Sequence, residues 1–180
     1  MAAFTVINRT ELGSTNATLV DMTSISSAYD HLYVVTSARG SASEKMSSYM
    51  VRFNNDSGTT NYDYANYYTQ QHNGSVSVER NGSQPTVAAY PRMPGATNTA
   101  SAFNNFTMWV PNYASTSNFK TVVINNGAGG LTTSTNEWYI YYTAGMWSST
   151  AAINRITIVG SSSSFAQYSS FTLYGVTNDA

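Results

Sequence analysis

Short runs in which apolar and polar residues alternate one for one recur along this chain, each closed by Gly, Asn, Ser or Pro. A period of two puts successive side chains on opposite faces of an extended strand, so a run with one apolar face marks a half-buried antiparallel strand. In DHLYVVTSAR (30–39), Leu32, Val34, Thr36 and Ala38 point one way and Tyr33, Val35, Ser37 and Arg39 the other. In SYMVRFNN (48–55), Tyr49, Val51 and Phe53 form the inward set, with Met50 and Arg52 outward.

The pattern returns in SVSVER (75–80), PTVAAY (85–90), NFTMWVPNY (105–113), FKTVVIN (119–125), EWYIYYT (137–143), INRITIV (153–159) and SFTLYGV (170–176), with similar runs in FTVIN (4–8) and ATLVDM (17–22). Asn81–Gly82 is expected to turn a hairpin between the 75–80 and 85–90 runs, and Asn126–Gly127 to close the 119–125 run, because both dipeptides accept the positive φ of tight turns. The stretch NYDYANYYTQQ (61–71) fits a strand, a loop or one helical turn. No segment carries ten residues with apolar positions at helical spacing. About nine to eleven strands make a sandwich or a barrel. The fold expected is all-β, an antiparallel β-sandwich of jelly-roll type, as one domain over residues 1–180.

Composition narrows the partners. Charged residues are 9% of the chain, against about 25% in an ordinary domain, with Ser, Thr, Asn and Tyr in their place. Eight basic and nine acidic residues, spread singly, give a net charge of −1 and no basic footprint for nucleic acid or an anionic membrane. The opening MAAFTVINRT lacks a basic segment followed by a long apolar run, and no run reaches membrane-spanning length, so synthesis and retention in a cytoplasm are expected. Six Asn-x-Ser/Thr sequons, at Asn8, Asn16, Asn55, Asn73, Asn81 and Asn105, then read as by-products of composition. With no cysteine there is neither a disulfide framework nor a thiolate metal site.

The residues that carry catalysis are sparse. His31 follows Asp30, but neighbours on a strand point to opposite faces, so His31 reads as a strand residue hydrogen-bonded at a sheet edge, and His72 as a solvated turn residue. There is no Gly-x-Ser-x-Gly elbow and no phosphate loop; NNGAGG (125–130) reads as a flexible loop. Glu44, Asp56, Asp63, Glu79 and Glu137 fall near strand ends with nothing to pair them across a cleft. NNDSGTTNYD (54–63) offers oxygen donors but lacks the alternating acids of a calcium loop, which leaves turn chemistry. No catalytic residue, cofactor or metal is expected. The tyrosines Tyr62, Tyr64, Tyr67 and Tyr68 fit three roles: a sugar-stacking platform, a protein interface, or a sheet face covered by its own loops.

Five stretches in order, AFTVINRTEL, YDHLYVVTSAR (29–39), VRFNNDSGTTNYDY (51–64), MWVPNYASTSNFKTV (108–122) and the closing WSSTAAINRITIVGSSSSFAQYSSFTLYGV, resemble a group of tailed-bacteriophage virion proteins of about this length. The chain departs from the group mainly between 72 and 100. The resemblance implies a single jelly roll and a virion part, made in the bacterial cytoplasm. It also implies fold-defining roles for Phe53, Asn54, Asp56, Pro111, Asn112, Tyr113, Leu173, Tyr174 and Gly175. The expected role is a head decoration, or cement, protein on the outer capsid surface, with the major capsid protein and its own copies, as a homotrimer, for partners. Tyr62, Tyr64, Tyr67, Tyr68, Trp109 and Tyr113 are its candidate contacts. The alternative is a tail, fibre or baseplate module that binds host-surface carbohydrate.

Overall fold

The computed structural model describes residues 3–70, 75–129, 139–161 and 163–178. Among them the chain forms twelve strands and no helix. They are β1 (Ala3–Glu11), β2 (Leu19–Met22), β3 (His31–Ala38), β4 (Met46–Phe53), β5 (Tyr62–Gln70), β6 (Ser75–Gln84), β7 (Ala88–Pro94), β8 (Asn104–Pro111), β9 (Lys120–Ala128), β10 (Tyr139–Trp147), β11 (Ile156–Gly160) and β12 (Ser170–Thr177).

Two antiparallel sheets result, one of eight strands in the order β1-β12-β3-β8-β9-β10-β5-β6 and one of four in the order β2-β11-β4-β7. Setting aside β5–β6 and β9–β10, the chain crosses between sheets in the jelly-roll sequence. It pairs β1-β12-β3-β8 opposite β2-β11-β4-β7. The two remaining pairs are insertions that extend the large sheet beyond β8. Their placement corrects two expectations. Asn81 and Gly82 lie inside β6, which pairs with β5, while β7 joins the other sheet; Asn126 and Gly127 continue β9. In both cases cross-strand pairing prevails over the local turn preference of Asn-Gly. The ambiguous 61–71 stretch supplies β5, and the described part of 125–130 is largely strand.

The core lies between the sheets. Leu32, Val34 and Ala38 on β3 and Tyr49, Val51 and Phe53 on β4 are buried, as alternation requires, against Val20, Met22, Ile156 and Ile158. One inward row crosses the large sheet through Leu173, Val34, Met108, Ile124, Thr143 and Asn66. The first four belong to the apolar core, whereas the last two turn polar, and the Thr143 hydroxyl donates to Asn66 Oδ1 at 2.7 Å. The sheet extension is thus sealed underneath by paired polar groups, which avoids the cost of an unmatched buried amide.

Of the residues to which the resemblance gives a fold-defining role, Asn54 and Asn112 hold corners. Asn54 (φ 52°) and Asn112 (φ 49°) adopt the left-handed conformation that Asn tolerates better than other chiral residues. Asn54 also accepts from the Asn154 and Arg155 amides and donates to Ala152 O at 2.8 Å, tying the exit of β4 to the approach to β11. At Gly175 a Cβ would sit 2.3 Å from the ring of Tyr29, so only glycine lets that ring lie on β12.

Candidate contact surface

The outer face of the eight-stranded sheet carries the most exposed apolar surface. A single register row crosses all eight strands through Val6, Tyr174, Tyr33, Trp109, Val123, Ala144, Ala65 and Arg80. The next runs Arg9, Thr172, Val35, Thr107, Asn125, Tyr142, Tyr67 and Val78, and a third runs Glu11, Ser170, Ser37, Asn105, Gly127, Ile140, Thr69 and Val76. The charges in the three rows stand at the sheet's two edges, Arg9 and Glu11 on β1 and Arg80 on β6. Of the eleven large hydrophobic residues exposed among those described, eight lie on this face: Phe4, Val6, Tyr67, Val76, Val78, Val123, Ile140 and Tyr142. Monomeric surfaces rarely gather apolar groups so closely without a partner.

The face has two halves. Over the jelly-roll strands, aromatic rings pack on one another: Phe4 meets Tyr33 edge-on at 5.8 Å, and Trp109 lies 6.1 Å from Tyr33 and 4.9 Å from His31. Over the inserted strands the surface is hollowed. One depression of about 370 Å³ is lined by Ala65, Val123, Ala144 and Met146, with Asp63 and Arg80 at its corner. A second, of about 300 Å³, adds Tyr67, Val78 and Tyr142. A third, of about 210 Å³, is more polar, bounded by Asn105, Thr107, Asn125 and Ile140.

The six candidate contacts separate. Tyr67 is 46% exposed on this face, 6.4 Å from Tyr142, and Trp109 is half-buried there. Tyr62, Tyr64 and Tyr113 point inward, and the contact role expected of them is corrected to packing. Tyr62 stacks on Trp147 at 6.3 Å while its hydroxyl accepts from the Phe53 amide, and burial pushes its phenol pKa up. The Tyr113 hydroxyl donates to Ser26 O and accepts from the Tyr29 amide. Tyr68 faces away from Tyr67, stacks on Tyr141 at 4.8 Å and donates to Glu79. Strand alternation explains the division: Tyr62 and Tyr64 share one parity, and Tyr67 has the other. Tyr142, Ile140, Val123, Val76 and Val78 were not singled out from the sequence. For Ile140 and Tyr142 the signal was present in EWYIYYT, where both parities are apolar or aromatic.

The remaining chemistry-bearing residues are separate from one another. His31 heads β3, an interior strand, which corrects the sheet-edge expectation; its Nδ1 accepts from the Asn112 amide at 3.2 Å, and Nε2 lies 3.0 Å from the Asn178 amide nitrogen. His72 and Glu137 lie outside the described residues. Asp56 accepts from Gly58 N, from the Asn61 amide and from Trp147 Nε1 at 2.7 Å, so the 54–63 loop is organised by its own donors. Glu44 accepts from Ser47, and Asp63 from the Ser83 amide. Buried Lys120 donates to the carbonyls of Asn118 and Thr150, and burial lowers its pKa. No group of three potential metal ligands occurs among the described residues.

Together these features define an all-β sandwich of jelly-roll class with an extended sheet face whose charges lie at its margins. No protein-family model matches the chain, and no curated protein does. Two solved structures align weakly. The galectin LEC-6 of Caenorhabditis elegans has 6% identity and a TM-score of 0.35, over 95% of this chain and 96% of its own. The PL-14 alginate lyase of Aplysia kurodai has 11% identity and a TM-score of 0.20, over 86% and 72%.

Proposed function

We propose that the protein is a structural component of a tailed-bacteriophage virion, a decoration protein that sits as a trimer on the outer head surface and braces capsid subunits. The observation that carries this reading is the outer face of the eight-stranded sheet, broad and apolar, with Arg9 and Glu11 at one margin and Asp63 and Arg80 at the other. The uncharged centre of such a face contacts protein without desolvating ions, so the contact is only weakly sensitive to salt. The ordered resemblance of five sequence stretches to phage virion proteins supplies the context, and a cysteine-free sandwich suits a particle that must persist outside the cell.

The expected result is that purified protein, added to heads that lack it, binds them and raises their resistance to heat and to low salt. Heads unchanged in stability, from virions that no longer adsorb to the host without the protein, would favour a tail module instead. That second reading draws on one observation: Tyr67 and Tyr142 lie side by side next to the neutral Asn125 and Thr107, a setting that suits a sugar ring. Glycan-array binding abolished by Tyr67→Ala and Tyr142→Ala would support it.

A further inference from the structure

The insertions β5–β6 and β9–β10 are not needed to close a jelly roll, yet they carry six of the exposed large hydrophobics: Tyr67, Val76, Val78, Val123, Ile140 and Tyr142, each 46–74% exposed. We infer that this half of the sheet docks against a second copy of the chain through its apolar face. The inference deepens the decoration reading and takes from it only the three-fold stoichiometry.

Three features select the occupant. First, the chemistry is largely aliphatic: Val76, Val78, Val123, Ile140, Ala65 and Ala144 offer no side-chain hydrogen bonds, and the polar atoms are confined to Tyr67, Tyr142, Thr69 and Asn125, so most hydroxyls of a glycan laid across the patch would lose water without replacement. Second, the charges of the main depression are one anion, Asp63, and one cation, Arg80, at the same corner. Copies gathered about an axis through that corner set each Arg80 beside a neighbour's Asp63, in alternating sign, which makes the surface complementary to itself. Third, the edge of β6 disfavours one rival homotypic route, two-fold strand pairing across that edge. Two-fold pairing of β6 edges must match residues of like parity, and the most nearly centred registers of Ser75–Gln84 put Glu79 opposite Glu79 or Arg80 opposite Arg80. With that edge disfavoured and the exposed apolar groups gathered on the face, association uses the face, its apolar hollows filled by the neighbour's side chains.

Sedimentation velocity tests this. The 19.5 kDa chain is expected to run at about three times its mass, and the double variant Val78→Lys, Tyr142→Lys to run as a monomer with an unchanged circular dichroism spectrum. Phe4→Lys, on the other half of the sheet, should leave the assembly intact. A wild-type monomer at every concentration overturns the inference, as does an oligomer that survives the double variant. An oligomer that the double variant disrupts, but that fails to bind heads, sustains the inference and removes the decoration role. A monomer that binds and stabilises heads does the reverse. Glycan binding by a monomer through Tyr67 and Tyr142 assigns the face to carbohydrate and overturns the inference.

Discussion

Replacing Tyr49 by alanine is expected to cost about 3–5 kcal/mol, the range for truncating a fully buried aromatic, and so to lower the melting temperature by roughly 10 °C in a chain of this size. Tyr49 is 1% exposed on β4, where it meets Phe106 edge-on at 5.1 Å and Phe165 at 6.4 Å. Its hydroxyl accepts from Asn126 Nδ2 at 3.2 Å, and burial pushes its phenol pKa well up. Alanine therefore opens a cavity and removes one acceptor between the sheets. Tyr49→Phe separates the two effects: Asn126 keeps the carbonyls of Arg92 and Asn105, so the phenylalanine variant should lose only about 1 kcal/mol. Thermal denaturation followed by circular dichroism measures both. A shift below about 3 °C for alanine would mean that this contact between the sheets carries much less than its burial implies.

Asp56→Ala is expected to be the most damaging change outside the apolar core, at about 2–3 kcal/mol. The carboxylate accepts from a backbone amide, a side-chain amide and the indole of Trp147, which is 3% exposed; alanine leaves that indole without its acceptor. Burial alone would raise the Asp56 pKa, but the hydrogen bonds from Gly58, Trp147 and Asn61 outweigh it and hold the carboxyl below its ordinary value. Asp21 is lowered as well, chiefly by its hydrogen bond from Arg155, whose Nε donates at 2.7 Å. For both groups the folded pKa lies below the unfolded one. Their contribution is therefore complete above the unfolded value of about 3.9 and is lost as the pH falls through the folded one. Stability should hold from neutrality down to about pH 5 and decline below about pH 4. The decline should be shallower in Asp56→Ala and in Asp21→Asn. An equal acid response in wild type and both variants would show that other carboxylates govern it.

Much of the fold could be read because each strand with one buried face prints its parity in the sequence. Leu32, Val34, Thr36 and Ala38, and Tyr49, Val51 and Phe53, are buried as their alternation requires. Order within the sheets is not local information. Nothing in SVSVERNGSQ says that β6 continues past its Asn-Gly, with an irregularity in register there, and pairs with β5, because the deciding contacts come from a distant strand. The contact surface was less legible for a related reason. A tyrosine on a strand serves core or surface according to parity, and parity in YDYANYYTQ was ambiguous until the pairing with β10 set Tyr64 and Asn66 inward and Tyr67 outward. Tyr113 lies beyond β8, where the left-handed Asn112 turns the chain and sends its ring into the core.

The central claim, a decoration role on the outer head, is tested most directly by counting. Quantitative mass spectrometry of heads separated from tails should find the protein with the heads, at on the order of one copy per major capsid subunit, as trimers at three-fold and quasi-three-fold points require. A few copies per particle, recovered only with the tails, would contradict it.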